Sequence, residues 1–377
     1  MIYFDSAATS FQKPRQVYEA IHRAMRRCAS AGRGGHSAGM AAADVLYDGR
    51  EALQRFFNAA SPDQVIYTAN ATHALNTAIK GLLPPYGAAL CSGLEHNAAA
   101  RPLYAAEKAG ARLRVVQSPL FSPEETLENW RAALESGRAD LAVLNHVSNV
   151  FGSIAPAEKI AALCAQYGVP LVLDAAQSAG HLPIDCAALP NTVVCTAGHK
   201  GLYGPQGTGV MILPQGLLPH PLMEGGTGSQ SLRHEMPEDI PDRYEAGTHN
   251  IPGVAGLTEG VHYIASKGFT HIIQHERQLT RLLLEGLSEL PDLTVYAGKA
   301  KDQTGVVSFT VEGIDSETVG EKLAAQEIAV RAGYHCAPLA HQTAGTLPGG
   351  TVRVSFSLFN TAQQVWELIR ALRRKDR

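Results

Sequence analysis

The chain has 377 residues, 45% of them hydrophobic, and a formal net charge of −3 at pH 7. That length exceeds one ordinary core and points to two domains, or a large domain with a smaller one appended, while the apolar content excludes a disordered chain. The near-neutral balance offers no face for nucleic acid or an anionic membrane. The short basic clusters, Arg23/Arg26/Arg27 and the Arg373–Arg377 tail, read as solvated helix faces and a helix end.

The N-terminal MIYFDSAATS has neither the basic nor the apolar region of a signal peptide, and no apolar run approaches a membrane span. A soluble, cytoplasmic protein is expected. Six cysteines, at 28, 91, 164, 186, 195 and 336, include no C-x-x-C pair, so free thiols are expected rather than a disulfide framework or a zinc site. Five of them should pack as small apolar residues. The histidines form no H-E-x-x-H or similar cluster, and no metal is expected.

In chain order, Asp63–Tyr67 (DQVIY) reads as a strand and Thr72–Leu83 as the helix after it. Leu141–His146 (LAVLNH) is a buried strand. Pro156–Tyr167 is a helix with proline in its first turn, ended by Gly168, and Val169–Asp174 (VPLVLD) is the next buried strand. Thr192–Thr196 and Thr208–Leu213 follow. Strands separated by helical patterns predict an α/β fold with a mostly parallel sheet, whose ligands sit at the carboxyl ends of the strands. Three polar clusters fall there: His146–Asn149, Asp174–Gln177 and Thr196–Lys200.

After about residue 260 the pattern changes. A long amphipathic helix, roughly Thr270–Leu287, precedes strands at Leu293–Val295 and Val306–Val311. Asp315 or Ser316 caps a helix through Gln326. Strands at Ile328–Arg331 and Val352–Ser357 and a helix at Thr361–Arg373 complete a small α+β domain. The link between the two parts is expected to be helical.

The stretch TAGHKGLYGPQGTG, residues 196–209, holds Lys200 among glycines. A nucleotide-binding loop places its glycines before the lysine and Ser or Thr after it, so that reading fails. A surface-turn lysine is the plain alternative, and its neighbours argue against it. Asp174 ends an apolar strand and Gln177 lies three residues on. A lysine Schiff base with pyridoxal phosphate (PLP) needs such parts: a carboxylate to keep the pyridine nitrogen protonated, an amide near the phenolic oxygen, and hydroxyls and N–H groups at a helix start for the phosphate. NATHALNTAI supplies Thr72 and His73 at a helix N-terminus, Thr196 and His199 lie beside the lysine, and His96 is placed to stack on the ring. The glycines are expected to leave room for the cofactor against the backbone.

D-x-x-Q followed some twenty residues later by [ST]-x-H-K resembles class V of the fold-type I PLP enzymes. With YFDSAATS, GRGGHSAG, EHNAA, NHVSNVFG, GHKGLYGPQGTG, YEAGTHN and RAGYHCAPL in order, the chain resembles the cysteine desulfurase family, specifically its SUF-type or group II branch, which also contains selenocysteine lyases. The resemblance implies a large PLP-binding domain over 15–260 around a seven-stranded sheet, and a small domain from 1–14 and 261–377. It implies Lys200 as the Schiff-base lysine, Asp174 as the pyridinium partner, Gln177 as donor to the phenolic oxygen and His96 as the stacking, proton-moving histidine. Asn70, Ala71, Thr72, Thr196 and His199 match the cofactor and its phosphate, and Thr248 the phosphate of the neighbouring subunit in a homodimer. Asn149, Arg353 and Ala7 match the substrate site.

Cys336 alone reads as a small buried hydrophobe. Its setting, Arg331-Ala-Gly-Tyr-His335-Cys336, puts it on a loop with cationic neighbours that favour thiolate. The resemblance implies that it takes sulfur from L-cysteine as a persulfide, for delivery to an acceptor protein, leaving alanine. The chain departs from the family at Ala175, at Asn97, at His249 where proline is common, and at His341 and Gln342. Selenocysteine lyase, a class V aminotransferase or β-lyase, and a non-catalytic regulator are the rival readings.

Overall fold

The apolar runs assemble into one seven-stranded sheet in the computed structural model, which describes residues 1–31 and 35–373. From one edge its order is Val65–Thr68, Gly209–Ile212, Thr192–Ala197, Leu171–Asp174, Leu141–Asn145, Ala88–Ser92 and Arg112–Val116. Gly209–Ile212 runs antiparallel to both neighbours, and the strands from Thr192–Ala197 to Arg112–Val116 pair in parallel. Helices cover both faces, so the inner strands are buried throughout and carry continuous apolar sequence rather than alternation. Two apolar cores flank the sheet, one containing Leu53, Trp130 and Leu173, the other Ile66, Leu75 and Val172.

A second sheet is antiparallel, in the order Arg331–Gly333, Thr351–Ser355, Val306–Val311, Leu293–Tyr296. The helices Phe269–Ser288 and Ala362–Arg373 pack on it around Phe309, Leu283 and Ile369. The N-terminus joins this part: Ile2–Tyr3 pairs with Ile328–Ala329, Asp5 bridges to Ser355, and Phe4 lies in the same core. Ile328–Arg331, expected as one strand, is therefore two. The chain changes partners at Val330, pairing first with the N-terminus and then with Thr351–Ser355. The expected helical link is Ile251–Lys267, which turns at Gly268 (φ +75°) straight into Phe269–Ser288. Among the described residues no helix is long and apolar enough to cross a membrane.

Candidate active site

The parallel strands end on one rim, and most of the residues singled out above stand there. Asp174 closes its strand, with Oδ1 accepting the Ala176 N–H at 3.0 Å. Gln177 follows, its Nε2 donating to the Ala7 carbonyl at 2.8 Å, while the Ala7 N–H goes to Ser355 Oγ at 2.9 Å. Lys200 lies three residues beyond Thr192–Ala197 in a turn closed by the Tyr203 N–H on the Lys200 carbonyl at 3.0 Å. His96 caps the helix Asn97–Lys108, its Nδ1 accepting from the Ala98 N–H at 3.0 Å. Asn70 caps Ala71–Leu82 by accepting the His73 N–H at 2.9 Å, which leaves the Ala71 and Thr72 N–H groups without an intrahelical partner. Ala71, Ala176 and Ala197 meet as a small apolar floor between these elements.

Burial sets the electrostatics. It pushes the Lys200 amine down to about 8 against the pull of Asp174, with Arg353 and Arg331 adding to the depression. It raises the Asp174 carboxyl, opposed by the Ala176 N–H and by Lys200. His96 is pushed down to about 4 by burial and by Lys200 and Arg353, so it is neutral at pH 7; because Nδ1 accepts, its proton sits on Nε2. Burial and Lys200 likewise push His199 to about 4, and its Nδ1 faces Thr9 Oγ1 at 3.1 Å. Arg353 is 2% exposed. Its Nη2 meets Asp5 at 2.6 Å and its Nη1 donates to the Asn149 carbonyl at 2.8 Å, while Nε has no partner among the described residues.

Cys336 is the exposed cysteine of the six; Cys91, Cys164 and Cys195 are buried and Cys28 and Cys186 half-buried. Cys336 lies on the loop that follows the strand Arg331–Gly333. His335 and Cys336 both occupy the left-handed region, at φ 50° and 55°. For non-glycine residues that costs on the order of 1–3 kcal/mol each and persists only where surroundings enforce it. The surroundings do so here: the Asn97 N–H donates to the Cys336 carbonyl at 2.7 Å, and Asn149 Nδ2 donates to the His335 carbonyl at 2.7 Å. Cys336 is thus tied to the helix that His96 caps.

Several expectations change. Thr196 is wholly buried, with its hydroxyl given to the Ala175 carbonyl at 3.2 Å. It stands four residues before Lys200, one more than [ST]-x-H-K requires; Ala197 holds that place, in the alanine floor. Asn70 acts as a helix cap. One N–H of Asn149 serves the Cys336 loop. Thr248 is exposed and lines a cavity of about 410 Å³ with Ala69, His73 and His249. The glycines do not make cofactor room: a Cβ on Gly198 would strike Thr208, and one on Gly201 the Ala179 carbonyl and His181, so they let the Lys200 turn pack against protein. Gly32-Arg33-Gly34 of GRGGHSAG, and Arg374–Arg377 of the basic tail, lie outside the described residues.

The family model for aminotransferase class-V matches residues 2–368. The chain belongs to this family. It is 34% identical to a cysteine desulfurase of Salmonella agona, over 100% of this chain and 94% of that protein. It is 32% identical to a probable cysteine desulfurase of Mycolicibacterium paratuberculosis over 99% of this chain, but spans 55% of that longer protein, and spans 60% of the Synechococcus elongatus cysteine desulfurase, to which it is 33% identical. The apo structure of the Thermococcus onnurineus cysteine desulfurase superposes with a TM-score of 0.91 at 30% identity, covering 98% of this chain and 93% of that one. An Escherichia coli cysteine desulfurase gives 0.85 at 27% identity, covering 98% and 93%. The expected fold-type I architecture, with its mostly parallel seven-stranded sheet, is borne out.

In this class-V family member, residue-by-residue reading passed over three features of the site. Asp5, inside YFDSAATS, holds both Arg353 and, at 3.7 Å, Arg331; a carboxylate so early in the chain gave no hint of a partner 348 positions away. Glu95 is fully buried with Oε1 accepting from Ser92 Oγ at 2.6 Å and the Asn145 N–H at 2.7 Å, and burial lifts its carboxyl to about 8. His341 lies wholly buried beneath the Cys336 loop; its departure from the family pattern was the signal available.

Proposed function

We propose that the chain is a PLP-dependent L-cysteine desulfurase of the SUF-type branch, yielding L-alanine and a persulfide on Cys336 for a sulfur-acceptor protein. The observation that carries this reading is the pairing of a buried amine, Lys200, with a buried carboxylate, Asp174, together with an exposed cysteine, Cys336, whose loop is tied to the helix that His96 caps. The full-length cysteine desulfurases it resembles support the substrate. In the same reading the working form is a cytoplasmic homodimer, with Thr248 reaching the neighbour's phosphate, and residues 15–260 form the cofactor domain against 1–14 and 261–377.

The residues present fit the cofactor. Ala71, Ala176 and Ala197 offer only methyl groups there, two N–H groups at the start of Ala71–Leu82 lack intrahelical partners, and Arg353 Nε is a buried donor without a partner among the described residues. Lys200 would hold the cofactor, Asp174 its pyridine nitrogen, the second Gln177 N–H its phenolic oxygen, and Ala71, Thr72 and His199 its phosphate, with the neutral His96 ring against its face. Bound there, PLP withdraws electrons from the substrate's α-carbon.

The chain's own groups supply the rest. Arg353 orients the substrate carboxylate, its guanidinium fixed by Asp5 and the Asn149 carbonyl. Lys200, with its amine near pH 8, takes the α-proton. The Cys336 thiolate attacks the substrate sulfur: an S–S bond forms as the Cβ–S bond breaks, sulfur is oxidised and Cβ reduced. In balance, one thiol and one L-cysteine give one persulfide and one L-alanine. The test is alanine and sulfide release from L-cysteine by the PLP-loaded protein. Cys336→Ala is expected to lower alanine formation by roughly 100-fold or more while keeping the visible cofactor absorbance, and Lys200→Ala to lose both. A Cys336→Ala protein as active as its parent would overturn the reading and leave transamination or β-elimination.

A further inference from the structure

Beneath Cys336 lies a buried chain of polar groups that the reaction itself does not use. His335 is 6% exposed and His341 0%. Their rings stack at 5.7 Å and 13°, with His335 Nδ1 and His341 Nε2 3.4 Å apart. At one end His335 Nε2 faces the Arg331 carbonyl at 3.3 Å; at the other His341 Nδ1 faces Thr346 Oγ1 at 2.7 Å. Phe151 and Tyr334 close over the His341 ring at 5.9 and 5.7 Å.

The direction of this chain is fixed by chemistry. The Arg331 carbonyl only accepts, so His335 Nε2 carries a proton. Both imidazoles are neutral, held well below the usual histidine range by burial. His335 Nδ1 is then a lone pair and must accept from His341 Nε2–H, whose Nδ1 in turn accepts the Thr346 hydroxyl proton. The run Thr346 → His341 → His335 → Arg331, with the Tyr334 backbone as a further partner of the His341 ring, ends on the residue whose guanidinium shares Asp5 with Arg353. His335 and Cys336, the two left-handed residues, sit on top of it.

We infer that His341 and Thr346 are positioning residues for Cys336, enforcing through His335 the backbone that aims its thiol into the site. This rests on the reading of Cys336 as the sulfur-accepting nucleophile. The two flanking backbone ties, from Asn97 and Asn149, fix the carbonyls of the loop; the imidazole pair fixes what lies under it. Thr346→Val keeps the shape and removes the only proton that His341 Nδ1 accepts, whereas Thr346→Ser keeps the donor.

The experiment uses the PLP-loaded protein and reads three quantities: amide hydrogen exchange of the peptide covering residues 331–337, the response of cofactor absorbance to L-cysteine, and kcat and KM for alanine formation. Thr346→Val is expected to speed exchange and lower kcat about ten-fold, as slight misplacement of a reacting atom does, with KM and the absorbance response unchanged. Thr346→Ser is expected to restore the parent values. His341→Phe, which keeps a stacking ring without its nitrogens, is expected to behave as Thr346→Val and serves if that variant does not fold. Parent-like exchange and kcat in both Thr346→Val and His341→Phe would overturn the inference, as would a raised KM and weakened cofactor binding along with the lowered kcat, which marks general loss of structure. A parent protein that forms no alanine from L-cysteine defeats the desulfurase reading instead, and the exchange measurement then decides the positioning role alone.

Discussion

Lys200 titrates near pH 8 because burial outweighs the attraction of Asp174, and that has a direct kinetic consequence. Only the neutral amine can capture an aldehyde, and its share rises from about one tenth at pH 7 to half at pH 8. Stripped of cofactor and given PLP, the protein should recover its visible absorbance faster as pH rises through 8, then level off. A rate still climbing at pH 10 would place the amine at its ordinary value. Beside it, Gly201→Ala sets a methyl against the Ala179 carbonyl and the His181 ring. His181 cannot yield easily, being paired with Glu276 at 2.5 Å. Expected are a stability loss of about 1–3 kcal/mol by urea titration and weaker cofactor retention. The positions of Lys200, Asp174, Gln177, His96 and Cys336 at or just after strand ends could be read from the sequence because each lies in a short motif that follows an apolar run. Which of Thr196 and Ala197 stands toward the rim is set by a strand's two-residue alternation, which counting back from Lys200 does not register.

At the scale of elements, the helix Ser37–Phe57, the strand Val65–Thr68 and the loop before Asn250 are joined through one buried pair. Arg50 and Glu245 meet at 2.5 Å with side chains 9% and 4% exposed; Glu245 also accepts the Tyr67 N–H at 2.6 Å and faces His249 at 2.7 Å. Arg50 lies over the Tyr67 ring at 4.4 Å. Arg50→Met would leave Glu245 buried with only His249 to answer its charge. The expected loss is about 3–5 kcal/mol in chemical denaturation, as for one partner removed from a buried pair. A loss below 1 kcal/mol would mean that the Arg50 charge is not what holds Glu245 in place. His249, noted in sequence only as a departure from proline, thereby gains a partner that its local motif could not reveal. The helix Ile251–Lys267 was expected only as a helical link, without bounds, because its glycine-rich start IPGVAGLTEG gives no clear helix signal. Its glycines serve close packing: Gly256 lies against Ile21 and Gly260 against the Leu202 carbonyl, contacts with a helix and a turn far away in the chain.

For the whole molecule, the buried histidines govern how stability responds to acid. Burial lowers His335 to about 2, and His146 and His341 to about 4. Each is depressed below its unfolded value near 6.5, so the stability it contributes is present above pH 6.5. That stability drains away as pH falls, since the unfolded chain binds protons that the fold refuses. Each group adds a slope of about 1.4 kcal/mol per pH unit in that window. Glu95 acts the other way. Its folded carboxyl, lifted to about 8, holds a proton that the unfolded chain has lost above 4.5, so its contribution grows as pH falls from 8 to 4.5. Asp174, raised by burial, and His181, raised because Glu276 outweighs its burial, also gain toward acid. Between pH 6.5 and 4.5 these three histidine slopes, joined by those of His96 and His199, also lowered to about 4, oppose the full Glu95 slope and a smaller one from Asp174; His181, charged in both states below its unfolded value, adds none there. A net loss of a few kcal/mol is expected, read as falling denaturant midpoints at pH 6.5, 5.5 and 4.5 with an unchanged transition slope. The sign assigns the cause. His146→Asn removes one buried imidazole and should flatten the decline, whereas Glu95→Gln removes the opposing carboxyl and should steepen it. Midpoints that rise toward pH 4.5 would show that the carboxyls prevail and that the imidazoles are protonated within the fold.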